Sequence, residues 1–343
     1  MADISERLSR IGVYVFPWGK EPPTVESVVR LTRHMERLGL DSVQIPWHFT
    51  LPPARFGWGN RYLLDPLVVL PAMVAATTRI RVGLNSGLVP LLHPFFWAQY
   101  LASLDVMSGG RTIAGLALGW WEEDFAVGGA ERAERGKRTD EGLEIISRLW
   151  RGEPIETAGR FWDARGLRLD PRPSPPMPLW IGGGAKSIER AARHAQGLNP
   201  LHPSLDEIRT VLRPGLDAAA ARHGRPRPTL AVFNYCVVIE PSDSPSWVRD
   251  ELMPTLRARL HGQEPDDSIV WGSPEQCAKR LSLLFDAGAD YVLFDGNLHG
   301  WLPERFSEEQ MTRFVERVIP LVDRPPRAAG GKDDGRGPQS HRR

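Results

Sequence analysis

Three groups of residues have the types and spacing needed for chemistry at the ends of strands. Gly182-Gly183-Gly184-Ala185-Lys186-Ser187 follows an apolar run and precedes a helical pattern, so its backbone amides could face an anion, with added charge from Lys186. His48 could hydrogen-bond a ring or move a proton. Trp120-Trp121-Glu122-Glu123 could wall a flat cofactor and hold its polar edge with a carboxylate. Together these groups indicate cofactor chemistry.

Each group also has an ordinary interpretation. Tight turns between a strand and a helix favour glycine without any ligand, because glycine accepts strained backbone angles. A loop histidine such as His48 can be satisfied by local hydrogen bonds, and Glu122 and Glu123 can simply begin a solvated helix. The sequence has no P-loop, no nucleophile elbow and no strand–GxGxxG–helix order, which disfavours those sites. Its histidines, cysteines and acids lack metal-ligand spacing, so we predict no metal site.

An alternation of apolar runs and helical patterns must position these residues. The predicted strands cover residues 12–16, 41–46, 80–86, 112–118, 178–182, 198–202, 229–239 and 291–295. Eight near-continuous apolar strands separated by helices favour a closed parallel (β/α)8 barrel, a TIM barrel, with a doubly wound sheet as the alternative. In such a barrel function belongs at the carboxyl ends of the strands. We expect one barrel domain over residues 1–323 and a disordered tail over residues 324–343, which are rich in Pro, Gly and charge.

Composition excludes several classes of function. The net charge is +1 and the charges are interspersed, so we expect neither nucleic-acid nor membrane binding. Cys236 and Cys277 are too few for a disulfide framework. The amino terminus has no apolar leader pattern, and these features together predict a cytoplasmic protein.

Several segments in order resemble the bacterial luciferase-like monooxygenase family, including its branch that uses coenzyme F420. The segments are LGLDSVQIPWHF (38–49), QYLASLDVMSGGRTIAGLALGWWEEDF (99–125), GRFW (159–162) and PLWIGGGAKSIERAARHAQG (178–197). The resemblance runs from about residue 11 to residue 322. It implies a barrel whose mouth binds FMN or F420, and dimers are common among such proteins.

The resemblance also implies roles for individual positions. The cofactor phosphate would lie near Gly182, Gly183, Gly184 and Ala185, and His48 would be the catalytic residue. The ring or its phosphate-bearing chain would be lined by Leu118, Gly119 and Trp120. Behind the ring, a cis peptide without proline is expected at Ser86-Gly87.

Three positions depart from the F420-dependent pattern. Trp47 stands where relatives often have Asp before the histidine, and Trp120 stands where some sugar-phosphate dehydrogenases have Glu. Gln196-Gly197-Leu198 replaces a common Asp-Gly-Trp. We therefore favour F420-dependent hydride transfer to or from a small organic substrate without assigning a sugar phosphate. The alternatives are a monooxygenase that receives FMNH2 from a separate reductase and uses oxygen, and a flavin-binding barrel without turnover.

Overall fold

Eight parallel strands close into a barrel in the computed structural model, which describes residues 4–16, 18–19, 23–50, 62–156, 158–173, 177–260, 264–265, 269–296, 298 and 304–322. The barrel strands are β1 (Ile11–Tyr14), β2 (Ser42–Ile45), β3 (Arg81–Leu88), β4 (Thr112–Ala117), β5 (Leu179–Gly182), β6 (Gly197–Asn199), β7 (Thr229–Val238) and β8 (Tyr291–Asp295). Each pairs with the next, and β8 returns to β1 through the register Ile11↔Val292. The barrel prediction is confirmed, and the doubly wound alternative is wrong because the sheet closes.

Helices cover the outside of the barrel. The α-helices are Ile4–Leu8, Val25–Leu38, Pro66–Ala75, Pro94–Ser108, Glu122–Gly128, Arg135–Arg151, Ile188–His194, Leu205–Glu207, Arg213–Arg222, Pro245–Trp247, Met253–Arg259, Pro274–Ala287 and Glu304–Arg313. Their ends follow capping rules, as in Val25–Leu38, where Thr24 and Ser27 form a capping box and Gly39 closes the helix at φ +82. Pro214 does not break its helix, because a π-helical turn at Ile208–Leu212 precedes it and places the proline in the first turn.

Two small features had no signal in the sequence. The strand Val270–Gly272 pairs with the end of β7, and Trp18–Gly19 pairs antiparallel with Tyr62–Leu63. The predicted tail, residues 324–343, lies outside the described residues. Within the described part of the chain, no helix is long and apolar enough to cross a membrane.

The two faces of the barrel strands differ in chemistry. Outward side chains such as Val43, Ile45 and Leu84 are buried in the apolar layer beneath the helices. Several inward positions are polar or glycine instead of the bulky branched residues that usually fill such barrels. A Cβ at Gly115 would lie 2.4 Å from the Leu84 carbonyl oxygen and 2.9 Å from Asn85 Cα. The absence of a side chain on β4 therefore lets the neighbouring strand β3 press inward.

Candidate active site

His48 follows β2 and is held by a buried carboxylate from the β4 exit. Its Nδ1 lies 2.6 Å from Oδ2 of Asp124, whose side chain is fully buried in the first turn of the helix Glu122–Gly128. The other oxygen, Oδ1, accepts hydrogen bonds from the amides of Phe49 and Thr50 at 2.9 and 3.2 Å. Asp124 therefore fixes both the histidine ring and the loop that carries it.

Trp121 forms one wall of this group. Its ring stacks on the His48 ring with centroids 3.7 Å apart and planes 21° apart, and its side chain is buried. Trp120 packs edge-on against Trp121 at 5.1 Å but is 49% exposed. The β4 exit therefore supplies one buried aromatic that positions His48 and one aromatic that is half-exposed.

A cis peptide interrupts β3, one bond earlier than predicted. The cis bond is Asn85-Ser86, so the prediction of Ser86-Gly87 is wrong. The register of β3 against β4 shifts between Leu84 and Gly87, where the strand bulges toward Gly115. Tyr14 Oη donates to the Asn85 carbonyl oxygen at 2.8 Å. Burial, followed by the charge of Asp295, raises the pKa of Tyr14, so this phenol stays protonated as a donor.

Ser86 and Gly182 are brought together across the barrel mouth. A Cβ at Gly182 would lie 2.8 Å from Ser86 Oγ and 3.0 Å from Ala117 Cβ. Ser86 is part-buried, whereas the residues of β3 on either side of it are buried. Gly87 points elsewhere, since a Cβ there would meet Trp97 and Leu84 at 2.8 Å. Of the two predicted β3 residues, Ser86 faces the mouth and Gly87 packs against the helix layer.

The triple-glycine turn after β5 presents a row of backbone amides. Gly183 has φ +135, and its amide donates to the Asn199 carbonyl at 3.0 Å. Among the described residues, the amides of Gly184, Ala185 and Lys186 have no hydrogen-bond acceptor. The space beside Gly184 is open, with Glu207 Oε1 the nearest atom at 3.8 Å from an added Cβ. The turn fits an anion on the Ala185–Lys186 side, because the Glu207 carboxylate repels one beside Gly184.

The remaining predicted residues at the β4 exit have supporting positions. Gly119 adopts φ +78, and an added Cβ would meet Phe125 at 3.2 Å and Leu88 at 3.3 Å. Leu118 is part-buried beside it. Glu122 has a side chain 71% exposed, so for this residue the interpretation as a solvated helix start is the one observed.

The GRFW segment has a structural explanation. Glu141 accepts hydrogen bonds from the backbone amides of Arg160, Phe161 and Trp162 at 2.9–3.3 Å. A Cβ at Gly159 would lie 2.0 Å from Glu141 Oε1, so a side chain there would displace this carboxylate from the amides that it binds. The motif fastens its loop to the helix Arg135–Arg151 and supplies no group to the barrel mouth.

Sequence reasoning missed Asp124 and Tyr14. Asp124 is the last of three consecutive acids, and only the neighbouring apolar Phe125, which is buried, hinted that this part of the helix turns inward. Tyr14 looked like one more apolar strand residue. Its hydroxyl partner is a carbonyl 71 residues away, which no local pattern indicates.

Comparison with known proteins agrees with this architecture. A family model for luciferase-like monooxygenases matches residues 11–266. An F420-dependent glucose-6-phosphate dehydrogenase of Microbacterium testaceum (strain StLB037) is 32% identical over 84% of this chain and 90% of its own length. The chain spans 63% of the length of the first curated relatives that it matches, uncharacterized mycobacterial proteins that are 31% identical over 181 residues.

Solved structures share the fold. An F420-dependent secondary alcohol dehydrogenase in complex with an F420–acetone adduct superposes with a TM-score of 0.73 at 18% identity, covering 92% of this chain and 99% of that one. The FMN complex of the oxygenating constituent of 3,6-diketocamphane monooxygenase from Pseudomonas putida gives the same TM-score and coverage at 17% identity. At these identities the likeness extends to the fold alone.

Proposed function

Because this chain belongs to the luciferase-like monooxygenase family, we propose that it is an oxidoreductase that uses coenzyme F420 to move a hydride to or from a small organic substrate. The observation that carries the proposal is the His48–Asp124 pair at the same end of the barrel as the amides of Gly184, Ala185 and Lys186. This end combines a group that can move a proton with donors that can hold a phosphate.

Relatives that match most of the chain support F420 over FMN. Four curated relatives that match over 84% of this chain are named F420-dependent glucose-6-phosphate dehydrogenases, at 26–32% identity. A named monooxygenase, the 4-hydroxyprotoasukamycin monooxygenase of Streptomyces nodosus, matches only 61% of the chain. The exposed Trp120 favours an apolar or aromatic substrate and replaces the glutamate expected for a sugar phosphate.

In the mechanism that we propose, the cofactor when bound supplies the hydride chemistry. The protein supplies position and proton transfer. Asp124 accepts from Nδ1 of His48 and so fixes the ring, and Trp121 holds its plane. In oxidation of an alcohol, His48 takes the hydroxyl proton at Nε2 while the carbon loses its hydride. In reduction of a carbonyl, the same nitrogen returns the proton to oxygen.

Cofactor titration tests the proposal. F420 should bind in the micromolar range with a shifted absorption band, and FMN should bind more weakly. Tighter binding of FMNH2, with oxygen consumption in the presence of a flavin reductase, would support the two-component monooxygenase instead. If neither cofactor binds tighter than millimolar, both enzyme functions are refuted.

Two opposite charges beside the triple-glycine turn, Lys186 and Glu207, should have opposite effects on F420 binding. Lys186→Met should weaken F420 binding by about three- to tenfold, and Glu207→Gln should strengthen it by about two- to fivefold, since each change alters one charge near the phosphate. Both effects should shrink at 1 M salt. Isothermal titration calorimetry with F420 and with its phosphate-free deazaflavin measures them. If the two substitutions change the affinity for the phosphate-free compound by the same factors, the turn does not bind the phosphate.

We propose a homodimer formed through two adjacent helices. Pro66–Ala75 has no charged residue, and Tyr100 on Pro94–Ser108 donates to the Leu67 carbonyl at 2.9 Å. The exposed apolar side chains on these helices are Val68, Phe96, Val106 and Met107, with exposed fractions of 40–69%. An exposed apolar face of this kind is typical of a protein interface.

The dimer prediction is tested by charge substitution. The double variant Val68→Glu/Phe96→Glu should sediment as a monomer at micromolar concentration, whereas Val127→Glu, an equally exposed valine on Glu122–Gly128, should leave the dimer intact. A wild type that sediments as a monomer, or a double variant that stays dimeric, contradicts the proposed interface.

We also propose a cytoplasmic location, supported by the two buried free thiols of Cys236 and Cys277.

A further inference from the structure

Polar side chains inside the barrel form one continuous hydrogen-bonded chain. It begins at Asp41, next to the amino-terminal end of β2, and ends at Ser86 in the mouth. The members in order are Asp41, Tyr291, Ser42, Gln44, Asn85 and Ser86, with a branch from Asn85 to Asn199. These side-chain contacts are additional to the backbone pairing that closes the barrel.

In the lower half of this hydrogen-bonded chain, from Asp41 to Gln44, the donor and acceptor roles can be assigned in only one way. The Asp41 carboxylate only accepts, so Tyr291 Oη donates to it at 2.7 Å. With its hydrogen used, Tyr291 Oη accepts from Ser42 Oγ at 2.7 Å, and Ser42 Oγ accepts from Gln44 Nε2 at 3.1 Å. Burial raises the pKa of Tyr291, which keeps this phenol protonated as the donor.

The upper half continues in the same direction. Gln44 Oε1 accepts from Asn85 Nδ2 at 2.7 Å, and the same amide donates to Asn199 Oδ1 at 3.1 Å. The side-chain amide of Asn199 cannot exchange its oxygen and nitrogen positions, because its nitrogen donates to the Ala231 carbonyl oxygen. Asn85 Oδ1 is therefore turned toward Ser86, whose hydroxyl donates to it at 2.8 Å.

We propose that this chain holds Ser86 Oγ as a hydrogen-bond acceptor toward the barrel mouth, where it recognises a ring N–H of the bound cofactor. A serine hydroxyl has one hydrogen and two lone pairs, and its hydrogen is committed to Asn85. Turning that hydrogen toward the mouth would leave Asn85 Oδ1 buried without its donor, which is costly. Ser86 therefore favours a ring edge that presents a donor and disfavours one that presents a lone pair.

The inference rests on the proposed function, because it concerns the same site, and FMN and F420 both carry a ring N–H. Ser86 is also suitably placed: it is part-buried, and its Oγ lies against the bare backbone of Gly182, so no side chain from β5 covers it. A larger residue at position 182 would fill the space that a ring edge needs.

Binding measurements with both cofactors test the acceptor role. Ser86→Ala should weaken the binding of FMN and of F420 by about three- to tenfold, which is the effect of losing one neutral hydrogen bond. Ser86→Thr should keep most of the wild-type affinity. In proton NMR of bound ¹⁵N-labelled FMN, the N3–H resonance should move upfield in Ser86→Ala. A merely structural role for Ser86 would not change that resonance.

Interior variants test the chain behind Ser86. Gln44→Met keeps a similar side-chain volume but removes two hydrogen bonds from the series that leads to Ser86. With Ser86 unchanged, this variant should shift the N–H resonance of bound FMN. Thr32→Val removes an equally buried hydroxyl that bonds only within its helix, to the Val28 carbonyl, and should leave affinity and resonance unchanged. A resonance that is the same in wild type and Gln44→Met overturns the role of the chain.

The outcomes separate this inference from the proposed function. If no cofactor binds the wild type, the proposed function fails and the inference fails with it. If wild type and Ser86→Ala bind FMN and F420 equally and the N–H resonance does not move, the inference alone is wrong.

Discussion

Replacing His48 with alanine should lower turnover by about 10²–10⁴-fold, the usual effect of removing a general acid or base. The ring is held by Asp124 at Nδ1 and by the face of Trp121, and Asp124 also binds the backbone of the loop that carries the histidine. Such fixed geometry is what proton transfer requires, because the heavy atoms must stay within hydrogen-bonding reach. Single-turnover loss of the F420 absorption band with candidate alcohols, or its return when reduced F420 meets candidate ketones, measures the decrease in rate.

Asp124→Asn tests whether the pair acts as a unit. The amide keeps the volume and keeps an oxygen for Phe49 and Thr50, but it turns an N–H toward His48 Nδ1 and so favours the wrong tautomer. We expect a fall in kcat of about 10-fold or more with cofactor affinity unchanged. Glu123→Gln, an exposed carboxylate in the same helix, is the matched control and should behave as wild type. Unchanged kinetics for both His48→Ala and Asp124→Asn would remove the pair from the mechanism.

Gly115→Ala should lower the free energy of unfolding by about 3 kcal/mol, at the upper end of the usual cost of overpacking. The added Cβ would lie 2.4 Å from the Leu84 carbonyl oxygen, a backbone atom that cannot rotate away. Either β3 or β4 must shift, and both carry mouth residues. Urea denaturation followed by circular dichroism measures the change.

A second glycine provides the control for Gly115. An alanine at Gly136, near the start of the helix Arg135–Arg151, would meet only Arg190 Nη2, at 3.8 Å. Gly136→Ala should therefore be neutral or stabilise by up to about 1 kcal/mol, since alanine is the better helix former. If Gly115→Ala costs less than about 1 kcal/mol, the close approach of β3 and β4 does not constrain the fold.

The barrel could be predicted because each of its strands corresponds to a local apolar run in the sequence. Runs such as residues 229–239 are apolar except at Thr229 and Asn234, and helices with clear caps separate them, so eight buried parallel strands follow. The two-residue strands Trp18–Gly19 and Tyr62–Leu63 had no such run, and only tertiary pairing defines them. The π-helical turn Ile208–Leu212, which places Pro214 in the first turn of the helix Arg213–Arg222, also has no signal in local helix propensity.

The site was predictable in position but only partly in detail. A histidine immediately after a strand lies at the barrel mouth wherever its strand ends, so His48 followed from the fold. Asp124 comes from 76 residues away, and the only local difference from Glu122 and Glu123 is its apolar neighbour Phe125, which does not indicate a histidine partner. The cis peptide lies one bond before its predicted place, next to Gly115 of the neighbouring strand, and a resemblance along the chain does not register such a contact between strands.

The stacking of His48 on Trp121 also has a photophysical consequence. An imidazole ring 3.7 Å from an indole is close enough to quench the excited state of the indole. Trp121 is buried, so we expect its emission to be blue-shifted relative to that of the half-exposed Trp120 beside it. Trp121 is therefore a fluorophore in contact with His48, and the difference in emission between wild type and a His48 variant should report on that contact.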